Sequence, residues 1–434
     1  MNLRTLSFAR DAVCRRAFVQ GAAAALLGLR ASSSLRAADW LQDPVTGPPV
    51  LGHATAQHVI YLFMRGGMSQ IDTFDPKPGA PTQGPVEAIS TRADGIQLSQ
   101  HFPFLARQMD KACLVRSLSS TQGAHAQAQY LMRTSYDLRG TIQHPSLGAW
   151  AHRMAGRLNR TLPGHVIVGG NNLPSGGFFP PQFQALPIGD ATKGLQNSAL
   201  PQGIDAARFQ TRLDRLTEAN KAFEERHRGR DVRAYSNMYE DAVRLMRSSD
   251  LAAFDTEQEP ESMRTAYGDG AFGRGCLLAR RLVEHGVRYV EVTADGWDTH
   301  NDNFDELEEK LPAIDRGLAA LIADLDARGL LDRTLVVLAT EFGRTPEITG
   351  NNGRNHYPKA FSALLAGGGV KRGYVHGATD AHGREVVGEP VGIQDLNATI
   401  AYALGLPLDH VVMAPSGRPF KVADKGQPVV SLFA

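Results

Sequence analysis

The 434 residues carry 46 Lys and Arg against 45 Asp and Glu, a formal net charge of +1, so electrostatics gives no reason to propose a nucleic-acid partner. Hydrophobic residues make up 42% and charged residues 21%, the balance of a globular chain able to bury a substantial core. Beyond the first 40 residues no apolar run is long enough for a stable membrane span. Three cysteines, Cys14, Cys113 and Cys276, cap the disulfides. Cys14 falls in a segment expected to be removed, which leaves Cys113 and Cys276, both in apolar surroundings that favour buried free thiols.

The start of the chain reads as a targeting segment. Arg15-Arg16 precedes Phe18-Val19 and an Ala/Gly-rich stretch from Gly21 to Leu29, followed by Ala31 and Ser32 to Ser34. This resembles a twin-arginine export signal over residues 1–38. The resemblance implies twin-arginine export machinery as a partner and a periplasmic or extracellular destination, with cleavage near Ala37 or Ala38. A surface helix with a basic start is the plainer alternative, and the Arg-Arg-x-Phe-Val arrangement speaks against it. Residues 39–56 read as a Pro/Gly-bearing linker, and residues 57–434 as one α/β domain.

Val59 to Met64 is a buried first strand, followed by Gly66 and Gly67, which permit a tight turn or close backbone approach. Ser69, Asp72 and Asp75 come next, although Asp75 before Pro76 is also a common turn residue. A helix is expected over Phe102 to Met109, a short strand over Ala112 to Val115, and a helix from about Ala126 to Met132. His125 then sits at a helix start, where backbone N–H groups favour an anion; a capping or buried histidine is an equal alternative. His165 to Val168 is a strand in a Gly/Pro-rich region. About 204–263 is an amphipathic helical insertion whose mixed charges suit a solvated face. A helix over Gly275 to His285, a strand over Val287 to Thr293, a helix over Leu307 to Arg328 and a strand over Leu335 to Ala339 follow. That alternation predicts a mostly parallel sheet with helices on both faces.

Two strand ends carry the chemistry. The first runs into Asp295-Gly296-Trp297-Asp298-Thr299-His300, the second into Glu341-Phe342-Gly343-Arg344 and a Gly/Asn-rich loop to His356. Ligands bind at the carboxyl edge of open α/β sheets, and carboxylates gathered with imidazoles suit a divalent metal or acid/base work. Taken singly, Glu341 is more readily a turn cap or a partner of Arg344, and His356 a surface histidine.

Gly66-Gly67-x-Ser69-x-x-Asp72-x-Phe74-Asp75-Pro76-Lys77-Pro78, Gly296 to His300 and Glu341 to Pro346 resemble an exported bacterial family, domain of unknown function 1501. Glu341 at its strand end, the loop to His356, the Gly367 to Gly373 segment and the Gln394 to Thr399 helix are similar to the alkaline phosphatase and sulfatase superfamily. The resemblance implies a three-layer α/β/α sandwich, alkaline phosphatase-like, holding one or two divalent ions such as zinc, manganese or calcium. It places metal ligands at Asp298, His300, Glu341 and His356, with Asp72 standing in where Arg65 replaces the usual aspartate. Phe342 occupies a position often held by a ligand. The nucleophile position falls on His125, with Thr121 and Ser69 as alternatives, and Arg65 or Arg344 would neutralise an anionic substrate. The implied function is metal-dependent hydrolysis of phosphate or sulfate esters, on small molecules or polysaccharides. The competing expectation is an exported binding or assembly protein that kept the fold and lost the chemistry.

Overall fold

Strands buried at every position belong inside a sheet covered on both faces, and His165–Val168, Thr334–Thr340 and Phe361–Ala366 all have that character. The computed structural model describes residues 51–170, 175–200, 202–226 and 230–434. In it, β1 (His58–Arg65), β2 (Ala112–Ser119), β3 (His165–Val168), β4 (Leu186–Ile188), β5 (Tyr289–Asp295), β6 (Thr334–Thr340), β7 (Phe361–Ala366), β8 (Tyr374–His376) and β9 (Val391–Gly392) form one sheet. Its order is β8-β2-β7-β6-β1-β5-β3-β4, with β9 also pairing β2. All its pairings are parallel except those of β7, which runs antiparallel to β2 and β6. The reason is local. No helix lies between β6 and β7, and without a crossover the chain can only double back.

The helices are α1 (His125–Thr134), α2 (Leu147–Ala155), α3 (Ala206–Arg226), α4 (Arg230–Met246), α5 (Glu261–Tyr267), α6 (Ala271–Glu284), α7 (Asn303–Ala327) and α8 (Ile393–Ala403). β1 shows how the layers divide. Ile60, Leu62 and Met64 join the core with α6 and α7, whereas Val59, Tyr61 and Phe63 join the core with α1, α2 and α8, as the two-residue period of a strand requires. The result is a three-layer α/β/α sandwich around a mostly parallel sheet. Cys113 and Cys276 are buried and free, and they lie in the two different cores, so the sheet itself separates them.

Several bounds differ from the sequence reading. The Phe102 to Met109 segment is a 3-10 turn over Leu105–Lys111, and the Ala112 strand runs on to Ser119. The expected signal at 1–38 lies outside the described residues, as does the linker up to residue 50. Residues 51–56 are tied to the fold: Leu51 N–H donates to Gly405, Thr55 and Ala56 N–H to Ala403, and Thr55 Oγ1 to Gly368. Among the described residues no helix is long and apolar enough to cross a membrane.

Register brings the chemistry to one rim. Met64 pairs with Thr340 and Arg65 with Asp295, so β1, β5 and β6 end level and their loops open on the same side. Truncation at the heart of this sheet is expected to be costly. Leu338 on β6 is fully buried, and Leu338→Ala should destabilise the fold by roughly 2–5 kcal/mol, read from the midpoint of chemical denaturation.

Candidate metal centre

The turn after β1 is built to let other loops approach. Gly66 and Gly67 have φ of 121° and 81°, which disfavours any other residue, and a Cβ on Gly66 would stand 2.6 Å from the Asp298 backbone nitrogen. Arg344, fully buried, fills the space beneath. Its Nε donates to Gly67 O (2.7 Å), Nη1 to Arg354 O (3.0 Å), and Nη2 to Gly66 O, Trp297 O (3.0 Å) and Asp298 Oδ1 (2.6 Å). Three loops are thereby fixed to one guanidinium. The expectation that Arg344 meets an anionic substrate is corrected by this geometry: its donors are spent inside, and its part is to hold Asp298.

Around Asp298 stand three imidazoles. His125, the first residue of α1, has Nδ1 2.8 Å from Glu341 Oε1 and Nε2 3.2 Å from Asp298 Oδ2. His356 has Nδ1 2.8 Å from Gly123 O and Nε2 3.1 Å from Asp298 Oδ1. His300 has Nδ1 3.0 Å from Asn355 Oδ1, and Nε2 3.1 Å from Asp298 Oδ1 and 3.0 Å from His356 Nε2. Each Nδ1 faces an acceptor and so carries the hydrogen. In the neutral ring, each Nε2 is then a bare lone pair. Such lone pairs crowding a carboxylate and one another repel, unless protons or a cation lie between them.

A cation fits. The ligand atoms of His125, Asp298 and His356 all lie within 4.8 Å of one another, and His300 touches two of the three. The His125 to Asp298 and His356 to Asp298 separations, 3.2 and 3.1 Å, are close to the ~3.3 Å ligand spacing that follows from bonds of about 2.0 Å in a tetrahedral site. Among the described residues His125 Nε2, itself buried, has no hydrogen-bond partner; it is within ion-pair distance of Asp298. The donor set opens to solvent, with side-chain exposures of 29% for His125, 47% for Asp298, 41% for His300 and 26% for His356.

The local electrostatics favour positive charge at this point, whether from a proton or from a cation. His125 is pushed above the ordinary imidazole range, first by its hydrogen bond to Glu341. Burial lowers His356. Burial would raise Asp298, but the hydrogen bonds from Arg344 and His356 outweigh it and hold the carboxyl well below the usual range. Burial would likewise raise Glu341, and is outweighed by hydrogen bonds from His125, Gln129 and Gly66. Both carboxylates are therefore charged at neutral pH.

Of the residues expected at the site, His125, Asp298, His300 and His356 are brought together. Glu341 stands behind them. Its Oε1 accepts from His125 Nδ1 (2.8 Å), Gly66 N (2.9 Å) and Gln129 Nε2 (3.0 Å), so it meets an imidazole where a metal had been expected. Asp72 stands apart from the imidazole cluster as well. It is fully buried against Arg354 at 2.8 and 2.9 Å and accepts from Asn303 Nδ2 (2.9 Å) and Ser69 Oγ (2.6 Å). Ser69 thus spends its hydroxyl on Asp72, which corrects its candidacy as nucleophile. Arg65 pairs with Asp295 at 3.2 Å. Phe342 is an apolar wall, its ring centre 4.9 Å from that of His125 and 4.6 Å from that of His356. Sequence reasoning missed Gln129 and Asn355. The first had a legible signal, because a residue four beyond His125 lies on the same helix face.

Residues 56–433 match the family described as "Protein of unknown function (DUF1501)". No curated protein matches the chain. Similar solved structures include the lipoteichoic acid synthase LtaP from Listeria monocytogenes, at 10% identity over 84% of this chain and 77% of that one, with a TM-score of 0.42. The phosphonate monoester hydrolase SpPMH from Silicibacter pomeroyi is 13% identical over 87% and 76%, with a TM-score of 0.41. The C-terminal periplasmic domain of EcEptC from Escherichia coli, in complex with Zn, is 11% identical over 83% and 87%, with a TM-score of 0.37. Likenesses this distant say nothing of substrate or activity.

The reassignment of Asp72 has a measurable consequence. Removing one partner of a buried ion pair strands the other, so Asp72→Ala should cost about 3–5 kcal/mol in chemical denaturation of the metal-free protein. A loss under 1 kcal/mol, as for an exposed pair, would contradict it.

Proposed function

The chain belongs to the DUF1501 family, and we propose that it is an exported hydrolase of phosphate or sulfate esters, dependent on a divalent metal held by His125, Asp298 and His356 with His300 beside them. One observation carries this reading: three imidazoles, each anchored through Nδ1, turn their Nε2 atoms toward a single carboxylate. Imidazole nitrogens suit zinc better than calcium, which takes oxygen donors. Zinc is therefore the first choice among the ions the sequence left open. The export assignment rests on the twin-arginine-like residues 1–38.

A bound ion would supply Lewis acidity toward an ester oxygen and acidify a water. The chain's own residues do the rest. Asp298, held by Arg344, offsets part of the cation's charge, and Phe342 gives the imidazoles a dry flank. α1 begins at His125, and its N-cap, Ala124, has no side chain to satisfy the first N–H groups; such a helix start favours a tetrahedral anion. With the Ser69 hydroxyl engaged in the interior and His125 assigned to the ion, a water or the exposed Thr121 hydroxyl would serve as nucleophile. The non-catalytic alternative draws on Arg65 and Phe342 at positions where the superfamily resemblance expects ligands.

Two measurements test the proposal. Protein purified without chelator should hold stoichiometric zinc or manganese, and His356→Ala should weaken metal binding by more than the roughly 10–100-fold that follows loss of a supporting contact. Ester hydrolysis in that variant should fall to background. Metal-loaded protein that turns over no phosphate or sulfate ester would favour the binding-protein reading. Metal-free protein with undiminished turnover would refute the metal assignment.

A further inference from the structure

We infer that Glu341 and Gln129 are positioning residues, acting on the ion only through His125, which they lock in one tautomer with Nε2 directed at the metal centre. The inference rests on the reading of that centre as a metal site. Its basis is the coordination of one oxygen. Glu341 Oε1 takes N–H donors from three directions: the Gly66 backbone at 2.9 Å, His125 Nδ1 at 2.8 Å and Gln129 Nε2 at 3.0 Å. Its other oxygen, Oε2, lies 3.3 Å from Thr340 Oγ1. Glu341 is wholly buried, so its charge has to be met by hydrogen-bond donors, and the shortest of the three comes from Nδ1–H of the imidazole that also faces Asp298.

The helix supplies the geometry. His125 and Gln129 are four residues apart on α1 and so project from the same face, and both land on one carboxylate oxygen. The third donor comes from the Gly66 turn, which Arg344 pins from below. With its oxygen held from three sides, the carboxylate cannot swing toward the Nε2 side of the ring. His125 in turn cannot exchange its two nitrogens without placing a lone pair against a buried anion. A carboxylate that accepts Nδ1–H also makes Nε2 a stronger donor to a metal. Strand-end position alone would make Glu341 a ligand; the hydrogen bonds make it the ligand's support.

Cobalt(II) serves as the probe, titrated into the full chain at fixed pH and followed by its visible absorption. Wild-type protein should bind it, and Glu341→Gln should keep the band positions and intensities while its affinity falls by about 10–100-fold. Gln129→Met, at a half-buried position, should also keep the bands, with a smaller loss. It carries the test if Glu341→Gln fails to fold. Bands that shift or vanish in folded Glu341→Gln would make Glu341 a ligand and overturn the inference, as would unchanged affinity in both variants. A wild-type protein that binds no cobalt overturns the metal reading itself and this inference with it, a failure visible before any substitution is made.

Discussion

A single buried guanidinium decides whether this molecule has a site at all. Arg344 binds the carbonyls of Gly66, Gly67, Trp297 and Arg354 together with the carboxylate of Asp298, and those groups belong to the loops that leave β1, β5 and β6. Burying a guanidinium is unfavourable unless its N–H groups are met. Arg344 meets that condition only when all three loops are in place, so their arrangement is cooperative. Asp298, 47% exposed on its own loop, gains a fixed orientation that it would otherwise lack.

Beneath that knot lies a second one. Asp72 and Arg354, both fully buried, pair across 282 positions of chain, and Asn303 links Asp72 to Thr299 on the His300 loop. A Cβ on Gly353 would collide with the His300 carbonyl at 1.7 Å, so the two loops lie in backbone contact. His300 is thus carried on irregular backbone held by these contacts, whereas His125 opens α1 and His356 sits on a short strand paired with Arg344. Rigid support of this kind fixes the separations of partly exposed side chains.

The layers were legible from the sequence because they follow from local pattern. Runs such as Thr334 to Thr340 have one physical home, and helices between strands dictate parallel pairing. The meeting of the Asp298–His300 loop with the loop to His356 also followed, since parallel strands end at a common rim, whereas His125 was placed there only by the superfamily resemblance. The division of labour among the polar residues was not legible. Glu341, Asp72 and Asp298 are carboxylates near strand ends, and composition does not distinguish the one that faces a guanidinium, the one that faces Nδ1 and the one that faces Nε2 atoms. Those roles depend on partners far away in sequence, such as Arg354 for Asp72. Ser69 was misread for the same reason: a hydroxyl after a strand looks available until its acceptor is known. The antiparallel β7 likewise needed the structure, which shows a two-residue ribbon, Gly343–Arg344 against His356–Tyr357, where a crossover helix would otherwise run.

The central claim is that the Nε2 atoms of His125 and His356 and the carboxylate of Asp298 share one cation. Anomalous diffraction at the zinc edge, from crystals of the full chain grown with zinc, tests it most directly. The account requires a peak about 2.0–2.2 Å from each of those three groups. A zinc-saturated crystal with no peak there, or with its strongest peak elsewhere in the molecule, would contradict it.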